Sequence, residues 1–235
     1  MSASTPVLPG TGYFITGTDT GIGKTLVACA LLRAFSRQGL RAVGMKPVAS
    51  GCTSNTQDDR NEDVAALLSA SNVCMPVDLV NPFCFGPAIA PHIAARQTGA
   101  AISLARIRDC YSSIADKADR IVVEGAGGLL VPLNEREDFG DLVQELGLSV
   151  VLVVGMRLGC LNHAFLTAEA IHNRGLHFAG WVANRLDPAL SFFDENVQTL
   201  RERLPAPLIA TMPFAPDAVQ ACTAMNPGLL MGRRS

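Results

Sequence analysis

The chain has 235 residues, 49% hydrophobic and 17% charged, which is enough apolar material for one large domain and too little polarity for a disordered chain. A net charge of −2 and a pI near 6.1 argue against the overall basic surface of a nucleic-acid or membrane-surface binder and make small molecules the expected partners. The first residues, Met-Ser-Ala-Ser-Thr-Pro, form no basic and apolar leader, and runs such as Val150 to Val154 are too short to cross a bilayer, so a soluble, cytoplasmic protein is expected.

In chain order, Tyr13-Phe14-Ile15 reads as a strand, Gly17 to Thr25 as a glycine-rich turn, and Thr25 to Gln38, closed by Gly39, as a helix. Strand, glycine loop and helix together make a cradle for nucleotide phosphates. Glycines let successive N–H groups turn inward, the helix N-terminus adds positive dipole, Lys24 brings a mobile charge, and the Thr25 hydroxyl can hold Mg²⁺. The loop departs from the spacing G-x-x-x-x-G-K-[ST] at its first position, which is Thr18, with Gly17 one step earlier.

Arg41 to Met45 reads as a second strand ending at Lys46-Pro47, residues 48–60 as a polar loop, and Asn61 to Ser69 as a short helix with Glu62 and Asp63 in its first turn. The stretch 76–99, with four prolines and two glycines, reads as irregular with a helical turn around His92 to Arg96, although Phe83, Phe85 and Ile89 in it need burial. Ser103 caps a helix running to about Lys117, followed by the strand Arg120 to Glu124 and the glycine loop Gly125 to Gly128. Helices at 138–146, 162–174 and 191–203 then alternate with strands Ser149 to Val154, Phe178 to Ala183 and Pro207 to Ala210. Near-continuously apolar strands separated by helices predict an α/β fold with a mainly parallel sheet covered on both faces. Ligands of such sheets bind beyond the carboxyl ends of the strands.

Four strand ends carry suggestive groups: the phosphate loop, Lys46, Glu124 before its glycine loop, and Asn184. Glu124 emerges from an apolar strand, where it can hold Mg²⁺ directly or through water. Taken alone, Lys46 reads as a solvated charge and Asp63 as ordinary helix-terminus chemistry; only the constellation raises either one. The segment Gly155 to His163 reads equally as an anion-binding helix start or as a plain helix start with Asn162 near the cap. The four histidines lack ligand spacing, apart from the wide His172/His177 pair, and read as structural or surface residues. The seven cysteines, at 29, 52, 74, 84, 110, 160 and 222, are scattered and never C-x-x-C, so reduced thiols are expected, with neither a disulfide framework nor a zinc site.

These stretches resemble one family, the dethiobiotin synthetases: Thr16 to Thr25, Lys46-Pro-Val-Ala-Ser-Gly51, Asn81-Pro-Phe, Pro91-His92, Val123 to Gly128, Leu158 to Ala164 and Gly180 to Asn184. The resemblance runs from about residue 12 to residue 215 and implies a single P-loop NTPase domain over 12–235 after a flexible extension, 1–11. It implies a homodimer that carboxylates 7,8-diaminopelargonate with CO2, phosphorylates the carbamate with MgATP, and closes the ureido ring. By the same resemblance Lys46, Lys24 and Thr20 are catalytic, Thr25, Asp63 and Glu124 bind Mg²⁺, and Ser50 and Lys46 contact substrate. The nucleotide is implied to lie against Gly21, Ile22, Gly23, Lys24, Thr25, Leu26, Asp63, Glu124, Gly125, Ala126 and Gly127. Asn184, Arg185, Pro213, Phe214, Ala215 and Gln220 fall near its base or ribose. The backbone of Gly159, Cys160, Leu161 and Asn162, from the second subunit, is implied to receive the substrate's carboxylate.

Two departures stand out: Gly21 replaces a glutamate common in the family, and residues 216–235 match poorly. The rival reading is a dimeric P-loop ATPase switch of the partition or division-site type. Against it, the loop begins Gly17-Thr18 without an additional lysine, and the tail is broken by Pro227 and Gly228. A related amide-forming synthetase would be expected to carry further catalytic domains.

Overall fold

The computed structural model describes residues 11–52 and 61–230. The expected N-terminal extension, apart from Thr11, and residues 53–60 of the expected polar loop lie outside them. Six strands, β1 (Gly12–Gly17), β2 (Ala42–Met45), β5 (Arg120–Glu124), β6 (Ser149–Met156), β7 (Phe178–Arg185) and β8 (Leu208–Met212), form a parallel sheet in the order β2-β5-β1-β6-β7-β8. A second, two-stranded parallel sheet pairs β3 (Val48–Ser50) with β4 (Phe83–Phe85).

Alternation along the strands loads both faces of the large sheet with apolar side chains. Phe14, Ile121, Val123 and Val150 join a core with helices α5 (Leu104–Ala115) and α6 (Phe139–Leu146). Tyr13, Ile15, Val122, Val151 and Val153 join the opposite core with α1 (Lys24–Arg37), α2 (Glu62–Ala70) and α9 (Ala218–Ala224). Leu152, Val154 and Trp181 pack under α7 (Cys160–Asn173) and α8 (Phe193–Arg203). Every residue of β6 is buried, as a central parallel strand covered on two faces requires.

Local chemistry sets the helix ends. Asp138 and Asp141 form a reciprocal capping box at α6, which Gly147 closes in the left-handed region at φ 61°. Ser103 caps α5 as expected, and Asn61 accepts from the Asp63 N–H at the start of α2.

Several expectations are corrected. The stretch 76–99 keeps the helical turn expected around His92 to Arg96, as α4 (Pro91–Gln97), but before it is ordered as α3 (Val77–Val80) and β4, because β4 finds a partner in β3 and Phe85 enters the core. Residues 48–50 of the expected loop are strand β3 for the same reason. Asn162 is exposed inside α7 and is not its cap; Gly159, at φ 93°, turns the chain into that helix without a side-chain bond. The thiols are not all reduced: Cys52 and Cys84, brought together by the β3/β4 pairing, form a disulfide, and the other five cysteines are free.

Candidate active site

The site lies where the strand order reverses, with the loop after β1 beside the ends of β5 and β2. The parallel register pairs Ile15 with Glu124 and Met45 with Val123, so Lys46 leaves its strand level with Glu124. Helix α2 supplies Asp63 from its first turn. Lys46 Nζ donates to Glu124 Oε1 at 2.7 Å and also to Asp63 Oδ2, while Thr25 Oγ1 lies 2.8 Å from both Asp63 Oδ1 and Glu124 Oε1. Glu124 is 1% exposed and Lys46 5%. A charge cluster so deep persists only because its members are paired.

Burial works against the Lys46 ammonium, but Glu124 and Asp63 outweigh it and hold the group above the usual lysine range. Burial pushes the Glu124 carboxyl up, with Lys46 opposing. Burial would also raise the more accessible Asp63, but Lys46 and the Thr25 hydrogen bond overcome it and keep that carboxyl low. Burial lowers the Lys24 ammonium, and Lys46 nearby adds to the effect against the attraction of Glu124. Lys24 Nζ donates to the Asp19 carbonyl at 2.8 Å, and the Asp19 carboxylate pairs with Arg157.

A metal cation fits this oxygen set. The Thr25 hydroxyl has one proton, so it can satisfy only one of the two carboxylates it touches, and Glu124 Oε2 is buried without a partner. Among the described residues no three His, Cys, Asp or Glu side chains are placed to chelate a metal. A hard cation here would therefore draw on Thr25, Asp63 and Glu124 and on oxygens from water or phosphate, the pattern of Mg²⁺ rather than of a closed protein cage.

A cavity of about 740 Å³ opens over the cluster. Of the candidate residues, Thr20, Gly21, Gly23, Lys24, Thr25, Lys46, Ser50, Asp63, Glu124, Gly125, Ala126 and Gly127 line it. The Ser50 hydroxyl is buried and unpartnered. The sequence reading missed the opposite wall, Ala88 to Pro91 with Val131, and Asn61, whose Nδ2 donates to the Ser50 carbonyl at 2.7 Å. The need to bury Ile89 was the available signal for that wall; it is 39% exposed on the cavity side.

Other candidates sit outside the lining. Ile22 is buried and Leu26 packs against the core under the loop. Arg185 lies over the Phe193 ring at 4.2 Å, and Gln220 closes a capping box with Asp217 at the start of α9. Pro213, Phe214 and Ala215 follow β8, with Phe214 half exposed. Gly159, Cys160, Leu161 and Asn162 open α7 away from this cavity, Leu158 beside them being 96% exposed. Asn184 is buried against the loop, its Nδ2 donating to the Ile22 carbonyl at 2.7 Å.

Among solved structures, the MinD cell division protein of Aquifex aeolicus is similar with a TM-score of 0.54 over 93% of this chain and 89% of that one, at 16% identity. At that distance the likeness shows the fold alone, a P-loop NTPase fold, and gives the switch reading no support. A family model described as an AAA domain matches residues 11–221. The ATP-dependent dethiobiotin synthetase BioD of Nitrosospira multiformis is 53% identical over 205 residues, 87% of this chain and 89% of that protein. The one from Aromatoleum aromaticum is 52% identical over 214 residues, 91% and 95% of the two chains. The chain belongs to the ATP-dependent dethiobiotin synthetase family.

Proposed function

We propose that this chain converts 7,8-diaminopelargonate, CO2 and ATP into dethiobiotin, ADP and phosphate, with Mg²⁺ as cofactor. One observation carries the reading: a buried, doubly paired lysine, Lys46, faces the same cavity as the phosphate loop and an apolar wall. One amine of the diamine adds to CO2 and gives a carbamate. A carbamate oxygen attacks the terminal phosphorus of ATP, and ADP leaves. The second amine attacks the carbonyl carbon of the resulting anhydride, phosphate leaves, and the ureido ring closes. The intramolecular attack gains from the held geometry, which converts a bimolecular step into a unimolecular one.

In this reading the loop N–H groups and Lys24 hold the donor phosphates, while Lys46 neutralises charge on the carbamate and the transferring phosphoryl group. Thr20, at the cavity edge, lies with them, and the unpartnered Ser50 hydroxyl meets the diamine. Ala88 to Pro91 accept the aliphatic chain. When bound on Thr25, Asp63 and Glu124, Mg²⁺ would supply charge neutralisation at the phosphates.

The chain acts as a homodimer in this proposal. The backbone at Gly159 to Asn162 opens α7 beside the exposed Leu158, with Leu166 also exposed on that helix, a surface suited to a second copy whose bound substrate ends in a carboxylate. Sedimentation at micromolar concentration tests it, and a monomer throughout would remove this part. Among the described residues no helix is long and apolar enough to cross a membrane, and a cytoplasmic site of action is part of the same proposal. The reading itself is tested by ATP turnover with and without the diamine. ADP release should depend on the diamine, and turnover indifferent to it would sink the synthetase assignment.

A further inference from the structure

We propose that Asn184 is a positioning residue for the phosphate loop, so that the side chain implied to meet the base also sets the shape of the phosphate cradle. The inference rests on the ATP-using reading above. Asn184 stands near the end of β7, 4% exposed, and its Nδ2 donates to the Ile22 carbonyl at 2.7 Å across a sequence separation of 162 residues. The contact is tight: a Cβ on Gly23 would lie 2.3 Å from that same nitrogen. Gly23 is also the left-handed turn, at φ 87°, from which α1 starts.

The peptide joining Ile22 to Gly23 therefore has its orientation fixed from below. A trans peptide points its N–H opposite to its carbonyl, so anchoring the Ile22 carbonyl on β7 turns the Gly23 N–H away from β7. Gly23 lines the cavity, and that direction is the one an anion needs. Ile22 is anchored at its other end too, since its side chain is 1% exposed and fills the space a Cβ would take at Gly17 and Gly155. Without the Asn184 donor the carbonyl would be left buried and unpaired, and the peptide would gain by rotating its oxygen toward the phosphates, which repels them. Among the described residues only one of the carboxamide's hydrogen-bonding positions is used, which leaves a second N–H and the Oδ1 acceptor for a base.

A ligand with phosphates and no base separates this role from base reading. Binding of inorganic tripolyphosphate and of ATP, each with Mg²⁺, is measured by calorimetry on the full chain, wild type against Asn184→Ala, well below the melting temperature. We expect the variant to bind tripolyphosphate about tenfold more weakly, and ATP more weakly by at least that factor. The uncharged Asn184→Leu, close to it in size and unable to donate to the carbonyl, should lose tripolyphosphate to the same degree and serves where the truncation does not fold. Tripolyphosphate affinity unchanged in a folded variant, with only ATP weakened, overturns the inference and leaves the ATP reading standing. A wild-type chain that binds neither ligand overturns both.

Discussion

Lys46 Nζ donates to Glu124 Oε1 over 2.7 Å, with both side chains removed from water, and the pair exists because β2 and β5 run parallel with Met45 opposite Val123. A positive charge is thus fixed beside the phosphate loop at no cost of rearrangement when charge develops in the cavity.

Lys46→Ala should reduce dethiobiotin formation by at least about 100-fold, the scale at which a preorganised charge acts on a transition state. ATP binding should stay within a few-fold of wild type, because the loop and Lys24 remain. Product mass and nucleotide affinity measured on the same preparation check both halves, and near-normal yield would mean that the catalytic charge lies elsewhere.

The same substitution should change the pH dependence of stability. Removing Lys46 takes away what opposes burial at Glu124, so that carboxyl rises further. An acid whose folded pKa is raised contributes stability that is fully present below its unfolded value, about 4.3, and is lost as pH rises through the folded value. Urea denaturation of Lys46→Ala should therefore show stability falling as pH rises above that unfolded value, more steeply than in wild type. Parallel pH profiles for the two proteins would contradict the pairing.

Magnesium dependence should report on the oxygen cluster. Thr25→Ala and Asp63→Asn are each expected to raise the Mg²⁺ concentration needed for half-maximal turnover by about tenfold or more, and a chelator should stop turnover in every case. Titration of activity with Mg²⁺ at saturating ATP gives the number, and unchanged titrations in both variants would remove these residues from the metal site.

The Cys52–Cys84 bond closes a loop across a separation of 32 residues and ties the end of β3, beside Ser50, to β4. Protein unfolded without reductant should show five reactive thiols. The double variant Cys52→Ser/Cys84→Ser should be less stable by about 4 kcal/mol, the loop-closure entropy that the cross-link removes from the unfolded chain. Seven reactive thiols in air-handled protein would contradict the bond.

Much of this architecture is legible locally. The glycine loop between Ile15 and Leu26 carries its own geometry, and the apolar runs of β6 and β7 announce a buried parallel sheet. Elements whose stability comes from distant partners were not legible: β3 and β4, three residues each, exist through each other. The start of α7 was misplaced because a left-handed glycine does there what a side-chain cap does elsewhere. Helix α9 was missed although Asp217 and Gln220 have capping-box spacing, in which the Gln220 side-chain oxygen accepts from the Asp217 N–H. The meeting of Lys46 and Glu124 at one sheet edge follows from the parallel topology read in the sequence, but the register that sets them level and the docking of α2 that brings Asp63 to Lys46 are not carried by pattern along the chain.

The most direct test is a single reaction of the purified chain with MgATP, ¹³C-bicarbonate and 7,8-diaminopelargonate, followed by mass spectrometry of the product. Dethiobiotin carrying the label, formed with ADP in equal amount and absent when ATP or the diamine is omitted, is the predicted result. ADP formed at the same rate without the diamine, and no labelled dethiobiotin, would contradict it.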